Sequence, residues 1–299
     1  MAAAAAHIRA GRLVAFPTET VYGLGANALD AAAVARIFEA KRRPRSSPLI
    51  VHVASVEMAR GLAREWLPAA EELARRFWPG PLTLVVPKDP RIPDVVTAGL
   101  GTVGLRMPAH PMALELIRQA GVPIAAPSAN RFTELSPTTA DHVRQSLGDE
   151  VDCILDGGPA AVGIESVVLS LAERPPVLFR PGVIPQGELE KVAGPIRVAT
   201  GAAAGGHASP GLHQRHYRPS TPLYLGSEPA GGRGFRLSLS ARPGPGLQMP
   251  ADPRGYAALL YATLHSVDRQ GFDWISVELP PDTPEWAGVR DRLRRAAIT

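Results

Sequence analysis

Short apolar runs alternate along this chain with stretches in which apolar residues recur at helical spacing. Leu13–Phe16 is such a run, stopped by Pro17, which has no N–H with which to extend a strand ladder. Pro48–Ala54, Leu82–Val86, Thr102–Met107, Ile124–Ala126, Cys153–Asp156, Val167–Leu171 and Val177–Arg180 predict further strands, several of them bounded by Gly or Pro. Helices are predicted before Gly11, over Ala31–Arg42 (on Val34, Ile37 and Phe38, stopped by Pro44), largely over Glu57–Phe77, over Met112–Gln119, and over Ser136–Leu147 with a proline near its start. The irregular alternation points to an α/β fold, a twisted mixed sheet with helices, ending near Val198. Thr200–Ser209, made of small residues with three glycines, has linker composition. Beyond it, Leu223–Leu225, Phe235–Leu239 and Trp274–Leu279 predict strands. Helical spacing over Tyr256–Val267 and a basic helix over Trp286–Ala297 complete a small second α/β domain. The expected division is 1–198, a linker or lid over 199–219, and 220–299.

Composition narrows the classes. The 299 residues carry 45% hydrophobic and 20% charged side chains, ordinary for a globular protein, while Gly 29 and Pro 31 imply many turns. A net charge of +4 suits anionic ligands without naming one. Cys153 is the sole cysteine, which excludes an intramolecular disulfide and a cysteine-based zinc site, and it reads as a small buried hydrophobe. The Ala2–Ala6 run is too short for a signal-peptide core and no stretch approaches a membrane span, so a cytoplasmic location is expected.

Chemistry gathers at strand ends. After Phe16 come Thr18, Glu19, Thr20 and Tyr22, then Gly23 and Gly25, a density of hydrogen-bonding groups beyond what a connecting turn needs. In open α/β sheets ligands bind beyond the carboxyl ends of strands. The basic turn Lys41-Arg42-Arg43-Pro44-Arg45 is either a solvated helix end, favourable for the helix dipole, or an anion site. Arg106, between apolar neighbours on a strand, requires an anionic partner, which can be a carboxylate such as Glu19 or Glu165, or a ligand. His52 in VHV fits a core histidine as well as a pocket one, and Ser128 and Asn130 can shape a turn, bind a ligand, or both.

PTETVYGLG at 17–25 resembles the signature of the YrdC-type threonylcarbamoyl-AMP synthase family, and further motifs agree. Lys41, Arg43 and Pro44 match K-x-R-P; Arg106 stands in R-M-P; Ser128-Ala129-Asn130 match S-A-N; Arg180-Pro181-Gly182 match R-P-G. Gly157-Gly158 and Glu165-Ser166-Val167-Val168 are similar to the D-G-G and E-S-T-V segments, with Val167 where threonine is more usual. Ser209-Pro210-Gly211 through His216-Tyr217-Arg218-Pro219 resembles the S-P-G…H-Y-x-P linker of two-domain members. Arg131–Glu134 departs from the small, glycine-containing segment of the family. The resemblance covers residues 12–219 and implies a YrdC-like sheet followed by a small Rossmann-like domain.

It also implies a reaction in which L-threonine, bicarbonate and ATP give threonylcarbamoyl-AMP and pyrophosphate, the product passing to the machinery that forms N6-threonylcarbamoyladenosine on tRNA. Lys41 and Arg43 are then the catalytic cations on the triphosphate. Ser128, Asn130, Arg180 and Tyr217 complete the ATP site, while Thr18, Tyr22, His52, Arg106 and Ser166 hold threonine. Mg²⁺ arrives with ATP, no side chain is assigned to a metal, and no organic cofactor is implied. The linker is expected to fold over the pocket, with Tyr217 and Arg218 excluding water or touching substrate. An RNA-binding module is the rival reading, but 5% aromatics with no stripe of Phe or Tyr offers bases no stacking platform. The similar domain of the hydrogenase-maturation carbamoyltransferase comes with cysteine-rich zinc fingers, which one cysteine rules out.

Overall fold

The computed structural model describes residues 1–199 and 217–298. The expected linker therefore lies mostly outside the described residues, including Ser209–Gly211 and His216. Among the described residues, ten strands form one sheet: β1 (Val14–Phe16), β2 (Gly23–Asn27), β3 (Ile50–His52), β4 (Leu82–Pro87), β5 (Thr102–Arg106), β6 (Ile124–Ala125), β7 (Cys153–Ile154), β8 (Val167–Ser170), β9 (Val177–Arg180) and β10 (Arg197–Val198). Their spatial order is β10-β9-β8-β4-β5-β3-β6-β2-β1-β7, with parallel and antiparallel pairs mixed. The apolar runs form the strands because burial on both faces suits them. Val14, Ala15, Phe16, Leu82, Leu84 and Val167 are all buried, and helices cover the sheet.

β2 is a strand that the sequence pattern does not announce. Gly23 and Gly25, read as turn residues, pair antiparallel with Phe16 and Val14. The glycines serve packing, since a Cβ on Gly25 would sit 2.7 Å from the ring of Phe16 and 2.7 Å from Ile124. Glu57–Phe77 is two helices, Val56–Arg60 and Pro68–Phe77, because Pro68 can open a helix but not continue one. The helix expected from Ser136 begins at Ala140, where the Thr139 side chain accepts from the backbone N–H of His142.

The second sheet, β11 (Leu223–Leu225), β12 (Gly234–Ser238), β13 (Gly246–Gln248) and β14 (Trp274–Val277), is parallel in the order β11-β14-β12-β13. Helices Pro253–Asp268 and Ala287–Ala296 pack on it, and their buried faces share a core with Val21, Leu135 and Ile164 of the first unit. The Rossmann-like expectation fits this small parallel sheet.

Candidate active site

The helix Ala31–Lys41 is capped at its start by Asp30, whose carboxylate accepts from the N–H groups of Ala32 and Ala33. It ends at Arg42 in the left-handed conformation (φ 52°), with the Arg43 N–H closing back onto Phe38. This reversal turns the basic cluster inward: Lys41 and Arg43 are buried, whereas Arg42 and Arg45 are exposed. The solvated-end reading holds for the second pair alone.

Arg43 enters a cavity with an empty volume of about 550 Å³, mouth included. It is lined by the loop after β1 (Thr18, Thr20), His52 of β3, Arg106 of β5, Ser128, Glu165, Ser166, Arg180 and Tyr217. The parallel register of β3 and β5 sets His52 beside Arg106. The loop after β1 is tied to the Ser128 loop, with the Leu24 N–H donating to Pro127 and the Ala129 N–H to Tyr22. Arg180, the last residue of β9, donates to the carbonyl (2.9 Å) and hydroxyl (3.2 Å) of Ser166, and that hydroxyl also lies 2.8 Å from Thr83 Oγ1.

Three sequence-predicted site residues are absent from the lining. The Tyr22 hydroxyl donates to the Gly158 carbonyl at 2.8 Å and accepts from the Gly157 N–H, so it ties the loop after β1 to the glycine-rich segment and does not face the cavity. Lys41 Nζ stands behind the wall, donating to the carbonyls of Ser128 (2.5 Å) and Asn130. Asn130 directs its amide N–H groups to the carbonyls of Arg131 and Glu134, which shapes the loop. Thr18 lines the cavity, yet its hydroxyl donates to Val21 and accepts from two loop N–H groups. The departure at Arg131–Glu134 has a structural use, since Phe132 lies 5.7 Å from the Arg43 guanidinium and the backbone at Glu134 pairs strand-like with that at Arg218. Tyr217 reaches the cavity wall; Arg218 pairs with Thr133 through the backbone instead. Val167 is packed in the core, so the hydroxyl it lacks would not reach the cavity.

Electrostatics set the chemistry. Burial lowers the pKa of Arg43 to about 10, with Tyr217 opposing and Arg180 reinforcing the shift, and burial also lowers those of Lys41 and Arg180. His52 is brought down to about 3 by burial and by Arg106, so it is neutral at physiological pH. The acidic partners are already engaged. Glu19 pairs with Arg106 at 2.7 Å, although the Arg106 terminal nitrogen makes no aligned hydrogen bond among the described residues. Glu165 accepts from Ser136 (2.5 Å), Tyr261 (3.2 Å) and Arg292 (2.6 Å). Burial would raise its pKa, but Arg292 and Arg180 hold it below the usual carboxylate value. Arg292 is a buried contact of the site that the sequence pattern missed, because in the sequence it is one of several arginines on a basic terminal helix.

Residues 6–182 match the family described as Telomere recombination, the Sua5, YciO and YrdC group, and residues 184–298 match the threonylcarbamoyl-AMP synthase C-terminal domain. The chain belongs to the threonylcarbamoyl-AMP synthase family. It is the two-domain form, an enzyme of nucleotidyl-transfer type. A threonylcarbamoyl-AMP synthase of Bacillus subtilis is 43% identical over 99% of this chain and 92% of its own length. One from Pyrococcus abyssi is 55% identical over 74% of this chain and 66% of its own. A crystal structure of Pyrococcus abyssi Sua5 complexed with L-threonine superposes with a TM-score of 0.93 at 44% identity, covering 99% of this chain and 93% of that one.

Proposed function

We propose that this chain is an L-threonylcarbamoyladenylate synthase that condenses L-threonine, bicarbonate and ATP, with residues 1–198 as its catalytic unit. The observation that carries the reading is the lining of one cavity by three buried arginines, Arg43, Arg180 and Arg106. Glu19 meets Arg106 at 2.7 Å without an aligned hydrogen bond to its terminal nitrogen among the described residues, while the lining carboxylate Glu165 is already neutralised from outside. Buried cations arranged in this way favour anions, here a polyphosphate and a carboxylate.

In this reading Arg43 and Arg180 meet the ATP phosphates and Tyr217 covers them, while Ser128 and Asn130 present the loop that Lys41 braces. Arg106 takes the threonine carboxylate, with Thr18, His52 and Ser166 around it and Tyr22 bracing from behind. Neutral His52, at a pKa of about 3, is too weak a base to hold the threonine proton and acts as a hydrogen-bonding group. The threonine amine, having lost a proton, combines with bicarbonate, or with the CO₂ formed from it, to give a carbamate with release of water; a carbamate oxygen then attacks the α-phosphorus in line as pyrophosphate leaves, so no protein nucleophile is needed. Rate comes from holding two anions together and neutralising the charge that builds on pyrophosphate. Glu19 and Glu165 are committed to arginines and assigned to no metal; a Mg²⁺ carried by ATP would supply further neutralisation of the charge on the departing pyrophosphate. Burial of the pocket beside Tyr217 protects the labile carbamate and acyl-adenylate from water.

No helix among the described residues is long and apolar enough to cross a membrane, which fits a cytoplasmic synthase passing its product to the tRNA-modifying machinery. Pyrophosphate release from ATP and bicarbonate, with each proteinogenic amino acid offered separately, tests the reading. Release confined to threonine, and needing at least about tenfold more ATP in Arg43→Ala, is expected; tight RNA binding with no turnover on any amino acid would overturn it.

A further inference from the structure

Arg292 is among the largest fully buried side chains described, and it is carried by the last helix, Ala287–Ala296, of the second unit. Its guanidinium reaches into the first unit. Nε meets Glu165 Oε2 at 2.6 Å, one terminal nitrogen donates to the Glu165 carbonyl at 3.2 Å, and the other donates to the Pro181 carbonyl at 3.1 Å and to Asp291 at 2.8 Å. Glu165 precedes Ser166 and Pro181 follows Arg180, so one side chain grips the segments beside both cavity residues. Backbone packing fixes the approach, because a Cβ on Gly288 would lie 2.6 Å from the Gly182 carbonyl oxygen.

Glu165 faces the same cavity as Arg180, and each shifts the other's charge equilibrium. A carboxylate there competes with any phosphate for Arg180, unless another cation neutralises it first. We propose that Arg292 is a positioning residue for ATP: by neutralising Glu165 from the second domain, it keeps that carboxylate from capturing Arg180 and leaves the guanidinium directed at the nucleotide. The second domain thus completes the electrostatics of a site to which, among the described residues, it contributes no lining side chain. Tyr261 belongs to the same arrangement, donating to Glu165 from helix Pro253–Asp268, and the Arg292 guanidinium lies 5.4 Å from the Tyr217 ring that closes the cavity.

The inference rests on the assignment of Arg180 to ATP. Its test compares wild type, Arg292→Gln, Arg292→Lys and the double variant Glu165→Gln/Arg292→Gln, with KM for ATP and for threonine measured separately and melting followed in parallel. Arg292→Gln leaves an unneutralised buried carboxylate, destabilising in itself, whereas the double variant removes both charges and keeps the test readable if the single one does not fold. The KM for ATP is expected to rise roughly tenfold or more in Arg292→Gln, with KM for threonine unchanged. Arg292→Lys, which keeps the charge, and the double variant, which removes the competitor, are expected to recover most of that loss. A double variant as weak for ATP as Arg292→Gln, or a Lys variant no better than the Gln variant, would reduce Arg292 to a packing role. If wild type itself shows no threonine-dependent turnover, the functional reading fails and not this one.

Discussion

Lys41 and Arg43 stand two positions apart, yet the fold gives them different tasks. The Lys41 ammonium ends between two carbonyls, so removing it leaves buried acceptors unsatisfied at about 1–3 kcal/mol each. Lys41→Ala is expected to lower the melting temperature as well as activity. Among the described residues the Arg43 side chain makes one weak hydrogen bond, at 3.3 Å to Pro48, and it faces the cavity. Arg43→Ala is expected to melt close to wild type while the KM for ATP rises by at least about tenfold, which calorimetry beside steady-state kinetics would separate. His52 predicts a pH response. Its folded pKa of about 3 lies below the ordinary 6.5, so between those values the unfolded chain binds more protons than the folded one. Its contribution is therefore complete above pH 6.5 and is lost as pH falls toward 3, and His142, lowered to about 4 chiefly by burial, acts in the same direction. Between pH 7 and 4.5 His52 accounts for a loss of about 2–3 kcal/mol. Urea titrations should show a shallower decline in His52→Gln; an unchanged decline would mean that His52 is not the titrating group.

Among the elements, those with a local signal were legible. Leu13–Phe16 and Val177–Arg180 are apolar runs with proline at or just past an end, and they appear as β1 and β9. β2 was not legible, because its glycines are required by close packing against Phe16 and Ile124, a demand set by residues on two other strands. Gly25→Ala is accordingly expected to cost about 1–3 kcal/mol through overpacking, checked by denaturant unfolding. The site divides in the same manner. The polar cluster after β1 announced Thr18, a lone arginine between apolar neighbours announced Arg106, and the family motifs S-A-N and R-P-G marked Ser128 and Arg180; all four line the cavity. Residue type could not tell a lining group from a brace, so Tyr22, Lys41 and Asn130, equally polar in the sequence, stand one layer back. For Arg106 the sequence left open a structural carboxylate, Glu19 or Glu165, beside a ligand, and Glu19 lies against it in the fold; the partner of Glu165 lies 127 residues away in the chain, beyond any local pattern.

At the scale of the molecule, the two units meet through glycines. Helix Pro253–Asp268 lies so close to Gly163 that a Cβ there would collide with the Ala257 carbonyl, and Gly288 abuts Gly182. Gly163, at φ +78°, would also be strained by any side chain. Gly163→Ala is expected to loosen the joint, lowering the melting temperature and exposing the joint to limited proteolysis while the secondary structure content holds. Unchanged protease resistance would show that the joint accommodates the methyl group.

The span between Glu165 and Arg292 also matters during biosynthesis. At 5–20 residues per second, a ribosome needs about 6–25 s to add the 127 positions that separate them. Throughout that interval the nascent first domain carries Glu165 with Arg180 beside it but without Arg292. The pocket arginine is then the cation left to answer the carboxylate, so the loops around the pocket are expected to reach their final arrangement late, after the terminal helix has been translated and has docked.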